Sequence, residues 1–141
     1  MGSGYRRVDL QNNALAKLED AIILLEAQRF SNAYYLAGYS IEIALKACIS
    51  VQFSADTIPD KSFVNKIYDH DLQALVKLAG LSSELSKTEA ADNEFAANWA
   101  VVAQWSESTR YDSVDPILAQ VFMSSISEPK SGVFQWIRNF W

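Results

Sequence analysis

The stretch from Ser31 to Phe53, SNAYYLAGYSIEIALKACISVQF, runs for twenty-three residues with only two charged side chains, Glu42 and Lys46. The acid precedes the base by four residues, the order that favours an ion pair on one helical face. The remainder is Ala, Ile, Leu, Tyr and small polar residues. A helix that is apolar nearly all round has to be covered on most sides. The segment is therefore expected to be the central helix of an all-α, up-and-down bundle. A membrane span is the rival reading. It is disfavoured by the charged pair near the middle and the three tyrosines in the first half.

The chain has 141 residues, half of them hydrophobic, which suits one domain with a sizeable core and excludes a disordered chain. Its net charge of −5 argues against broad electrostatic capture of nucleic acid, though not against a local basic site. The single Cys48 lies on the apolar segment and reads as a buried, reduced thiol. Residues 1–7 read as a disordered or tag-like N-terminus without the apolar run of a signal peptide. Residues 8–141 read as one helical domain, expected in the cytoplasm and off the membrane.

Hydrophobic spacing marks about five helices. Asp9 is placed to cap the first, from about Leu10 to Gln28, with Leu15, Leu18, Ile22 and Leu25 on its apolar side and Ile23 at the edge of that stripe. Ser31 or Asn32 can cap the second. Phe53 to Tyr68 reads as a loop with one helical turn near Ser62 to Lys66. Leu72, Leu75, Val76 and Ala79 give a short helix with Asp69 and Asp71 at its start and Gly80 at its stop. Ser82 to Lys87 reads as a polar connector, and Thr88 to Gln104 as a helix with Ala91, Phe95, Trp99 and Val102 in its stripe. Trp105 to Asp112 is irregular. Asp115-Pro116 opens the last helix, lined by Leu118, Val121, Phe122 and Ile126, and its phase continues through Val133, Ile137 and Phe140 past a bend at Pro129.

No catalytic residue emerges from a motif. One His cannot supply the paired Glu-x-x-His of a di-iron bundle, and no CxxC, HExxH or Gly-rich phosphate loop is present. No metal and no cofactor are expected. Six residues remain as ligand-binding candidates. Glu42 and Lys46 read either as a self-satisfied core ion pair or as a proton acceptor and ligand anchor. His70 reads as a helix-start residue or as a general acid or base. Trp105, Arg110 and Tyr111 can stack on a base and contact a phosphate. They can equally staple a loop to the bundle, with Arg110 paired to Glu107 or Asp112.

Four segments in order resemble the HEPN family of small prokaryotic helical domains. They are RFSNAYYLAGYSIEIALKACI (Arg29 to Ile49), HDLQALVKLAGL (His70 to Leu81), WSESTRY (Trp105 to Tyr111) and GVFQWIRNFW (Gly132 to Trp141). The resemblance implies an up-and-down bundle, commonly dimeric, in a toxin–antitoxin or phage-defence setting, often beside a nucleotidyltransferase partner. Catalytic members cleave RNA without metal, using an Arg followed by four to six residues and a His. Here Asn65, Val64 and Phe63 occupy the positions where that Arg would precede His70, so no catalytic residue carries over.

The expectation is accordingly a non-catalytic, HEPN-like binding domain that forms a homodimer. The alternative is a HEPN-related ribonuclease or nucleotide-binding protein with a rearranged site around His70, Arg110 and Glu42. The supply of aromatic residues, and Trp136, Phe140 and Trp141 near the end, suggest an aromatic dimer face.

Overall fold

The computed structural model describes residues 4–141 and is helical throughout, with no strand among those residues. Eight α-helices form rather than about five: α1 (Arg7–Glu26), α2 (Phe30–Ser50), α3 (Lys61–Ile67), α4 (Leu72–Leu78), α5 (Ser82–Ala91), α6 (Asn93–Val102), α7 (Pro116–Ser127) and α8 (Val133–Arg138). A 3-10 segment, Glu107–Tyr111, joins α6 to α7. Residues 4–6 are non-helical and Arg7 already belongs to α1; the rest of the tag-like reading, residues 1–3, lies outside the described residues.

The apolar segment is the central helix. α2 touches α1, α4, α7, α8 and the 3-10 segment, and thirteen of its residues are buried. α1 packs on it through the small Ala14 and Ala21. The chain reverses between the two helices at Gln28, which takes a left-handed φ of 62°. The Arg29 amide then donates to the Leu24 carbonyl at 2.8 Å, closing the end of α1.

Two caps differ from those the sequence suggested. α1 starts earlier, so Asp9 lies within its first turn and pairs with Arg6 at 3.0 Å on the surface. α2 begins at Phe30 with no side-chain cap. Ser31 instead accepts from the Val114 amide at 2.9 Å, tying the start of α2 to the approach of α7. Asp71 and Asp115 cap α4 and α7, and Pro116 opens α7. Gly80, at φ +75°, ends α4 as its position implied.

The stretch from Ser82 to Gln104 divides differently. Ser82–Ala91 is a helix rather than a connector, and the following helix starts at Asn93, not Thr88. Asp92 is the cause. Its backbone is extended, and its carboxylate accepts from the Phe95 amide at 3.1 Å. The gap between α7 and α8 is likewise a break rather than a bend within one helix. After Ser127 the Glu128 carboxylate gathers the amides of Lys130 and Ser131. Ser131 in turn donates to Asp92 at 2.7 Å and accepts from Asn98 at 2.9 Å, so this turn is fastened to the α5–α6 corner.

The aromatic residues of the chain end do not form an open face. Trp136 is 7% exposed. Its ring lies 5.2 Å from that of Phe95 and 5.3 Å from that of Phe140, and its Nε1–H donates to Thr88 at 3.1 Å. Trp141 meets Phe134 edge-on at 5.7 Å. Trp136 turns inward onto Phe95 of α6, with Thr88 of α5 accepting its indole N–H.

Candidate functional site

Glu42 lies in the middle of α2 with its side chain only 2% exposed. A carboxylate buried that deeply needs partners for both oxygens. Lys46 supplies one, its Nζ–H donating to Oε2 at 3.1 Å from one turn further along α2. The other comes from His70, whose Nδ1 is 2.9 Å from Oε1.

The stretch leading into α4 aims the imidazole. Asp69 accepts from the amides of His70, at 2.7 Å, and Asp71, at 3.0 Å. Asp71 caps α4 through the Ala74 amide at 3.0 Å. Both flanking carboxylates are thus spent on backbone, and the acids that meet the ring are Glu42 and a second one from a distant segment. His70 Nε2 is 3.0 Å from Glu107 Oε2, with each side chain about 40% exposed. His70 therefore joins α2 to the 3-10 segment. An ionised carboxylate only accepts hydrogen bonds. The cluster sets Lys46 and both ring nitrogens of His70 against the carboxylates of Glu42 and Glu107.

The 3-10 segment is set by Ser106, whose hydroxyl accepts from the Ser108 amide at 3.3 Å, and by Trp105 before it. Trp105 is 3% exposed and lies against Gly38 of α2, where a Cβ would collide with the indole. Its ring is 6.1 Å from that of Tyr35. Its buried Nε1–H has no hydrogen-bond partner. The indole is held by fit rather than by polar contact.

Of the six candidates, Glu42, Lys46 and His70 come together in one cluster. Trp105 anchors the same 3-10 segment from inside. Arg110 and Tyr111 occupy its exposed end, with the guanidinium carbon 4.8 Å from the tyrosine ring centroid. Of the staple reading the Trp105 anchor is present, while Arg110 forms no ion pair with Glu107 or Asp112. The Tyr111 and Tyr35 phenols and the Glu107 carboxylate nonetheless all favour its charged form. Tyr39 is the neighbour the sequence reading missed. Burial, and then the nearby Glu42 charge, raise its phenol above the usual range. Glu107 had appeared only as a possible partner for Arg110. No spacing rule links it to His70, 37 positions away in the chain.

Two surface depressions lie elsewhere. One, of about 620 Å³, is lined by residues of α3 and by Tyr68 and Asp69. The other, of about 710 Å³, lies among α4, α5 and α6. Cys48 is buried against α8, its thiol donating to the Ile137 carbonyl at 3.7 Å, and burial pushes its pKa up to about 12. Among the described residues no group of three His, Cys, Asp or Glu has metal-holding geometry, and no helix is long and apolar enough to cross a membrane.

No family model, no curated protein and no solved structure matches this chain.

Proposed function

We propose that this chain is a non-catalytic, HEPN-like binding domain of the cytoplasm, acting as a homodimer with a protein partner. The observation that carries the non-catalytic reading is the closure of the polar cluster. Both nitrogens of the only histidine face carboxylates, at 2.9 and 3.0 Å. Neither is free to take a proton from a substrate, as a general base must. The four groups satisfy one another, as a structural cross-link does. The toxin–antitoxin or defence setting, and a nucleotidyltransferase-type partner, rest on the resemblance of the four segments named above.

A second reading keeps a specific observation in its favour. His70 and Glu42 do meet, and Arg110 lies on the segment that His70 holds. A HEPN-related ribonuclease or nucleotide-binding protein with a rearranged site would use these groups. Incubation with structured and single-stranded RNAs, without metal, separates the two. The binding reading expects no cleavage above a heat-inactivated control. Cleavage that disappears in His70→Ala would establish the second reading instead.

A further inference from the structure

The larger of the two depressions is a groove walled by α4, α5 and α6. α4 is held by α2 and α3, and α6 by α5, α7 and α8, so the groove runs between helices anchored to different neighbours. Its apolar lining includes Val76, Leu85, Trp99 and Ala103, and its charged lining is Lys77 and Glu89. Its volume of about 710 Å³ lies in the range of small-molecule sites.

Trp99 is 5% exposed and lines this groove. Among the described residues its Nε1–H donates to no acceptor. A buried indole N–H ordinarily has one, as Trp136 has in Thr88. Trp105 also lacks a partner, but its N–H is sealed inside the protein. The Trp99 N–H is not sealed, and the surface it reaches is the groove. A donor on a side chain otherwise packed away is thus offered to whatever the groove holds.

The charges narrow the ligand. Among the described residues neither Lys77 nor Glu89 belongs to an ion pair; the pair within α5 joins Lys87 to Glu84 at 3.9 Å. A plain anion in this groove would meet Glu89, and a plain cation would meet Lys77. An uncharged apolar body would strip water from both. A molecule with a carboxylate at one end and an ammonium at the other satisfies the two together.

We infer that the groove binds a short apolar peptide with free ends. Its carboxylate meets Lys77 and its ammonium meets Glu89. A backbone carbonyl accepts from Trp99, and an aliphatic side chain covers Leu85 and Ala103. A single amino acid would leave most of the volume unfilled, whereas a di- or tripeptide occupies it. None of the α5 residues is buried, so this wall can adjust to the side chain it meets. The site shares no residue with the cluster around Glu42 and adds a binding activity independent of it.

The test is heteronuclear NMR of the isotopically labelled full chain, titrated with alanyl-leucine and with leucyl-leucine at millimolar concentration. The expected result is a saturable shift of the Trp99 indole signal while the Trp105 signal stays in place. Lys77→Met and Glu89→Gln alter positions outside the core and should each weaken binding roughly threefold. Acetylating and amidating the two ends of alanyl-leucine should weaken it about tenfold. Trp99→Phe identifies the signal by its loss; should that variant misfold, triple-resonance spectra of the wild type assign it. The inference is overturned if neither peptide shifts the Trp99 signal, or if the blocked peptide binds as well as the free one. Binding left unchanged by both Lys77→Met and Glu89→Gln overturns it as well.

Discussion

The indole of Trp105 rests directly on Gly38, so that a single methyl group at that position of α2 would occupy space the ring now fills. α2 needs its glycine for this contact and not for backbone freedom, since Gly38 is an ordinary helical residue within a long helix. The contact fixes where the 3-10 segment begins, and hence where Glu107 can meet His70.

Gly38→Ala is therefore expected to destabilise the fold by about 1–3 kcal/mol, as overpacking of a core does, despite alanine's better helix propensity. Gly80→Ala is the control. It has room for a methyl group but a left-handed backbone, and should cost about 1 kcal/mol. Urea unfolding followed by tryptophan fluorescence reads both. The idea is lost if Gly38→Ala is as stable as wild type.

The cluster around Glu42 should respond unequally to the loss of its members. Lys46→Met leaves a carboxylate buried with one partner fewer and should cost about 3 kcal/mol. Glu107→Gln acts on a half-exposed contact and should cost less than about 1 kcal/mol. A double-mutant cycle should accordingly give a larger coupling for His70 with Glu42 than for His70 with Glu107. Equal couplings would show that burial does not govern this cluster.

Cys48 gives a prediction at alkaline pH. Burial raises its pKa from 9.0 to about 12 in the folded protein. The unfolded thiol loses its proton first, so the folded state retains more protons above pH 9. Stability is fully present below that pH and falls as pH rises towards 12. Tyr34, whose phenol burial also raises, adds to the same slope. Cys48→Ala should flatten the slope, and thiol reagents should label the wild type only as fast as it unfolds.

Asp92 gives the opposite slope. The Phe95 amide and then the Ser131 hydroxyl hold its carboxyl below the usual range. That stabilisation is present above the unfolded pKa and is lost as pH falls through the lower folded value. Asp92→Asn, which can still accept at the cap, should show a shallower loss of midpoint below pH 4 than wild type. An unchanged acid limb would remove Asp92 from this role.

The sequence disclosed what depends on spacing along one helix. The covered α2, the Glu42–Lys46 pair, the Asp71 and Asp115 caps and the Gly80 stop are all local signals, and the structure has them. α5 left no such signal: none of its residues is buried, so it has no apolar stripe to be seen. Asp92 hid inside a run whose apolar spacing looked continuous, because a cap in mid-run differs from a surface acid only by its extended backbone. The bridge from His70 to Glu107 was invisible for a different reason. It depends on α4 and the 3-10 segment arriving at the same face of α2, and the sequence holds no register for that arrival. The inward turn of Trp136 left no local signal, because its partners Phe95 and Thr88 lie on other helices.

The hairpin of α1 and α2 closes through a three-residue link whose hydrogen bonds all lie within it and the end of α1. Its two helices are complete once Ser50 has been synthesised. α1 covers one side of α2, while the sides meant for α4, α7 and α8 stay open until those helices are made. At about 5–20 residues per second the wait for α8 lasts several seconds or more. Throughout that interval a nascent chain carries a bare aliphatic helix, a hazard on a crowded ribosome and a natural place for a chaperone to bind.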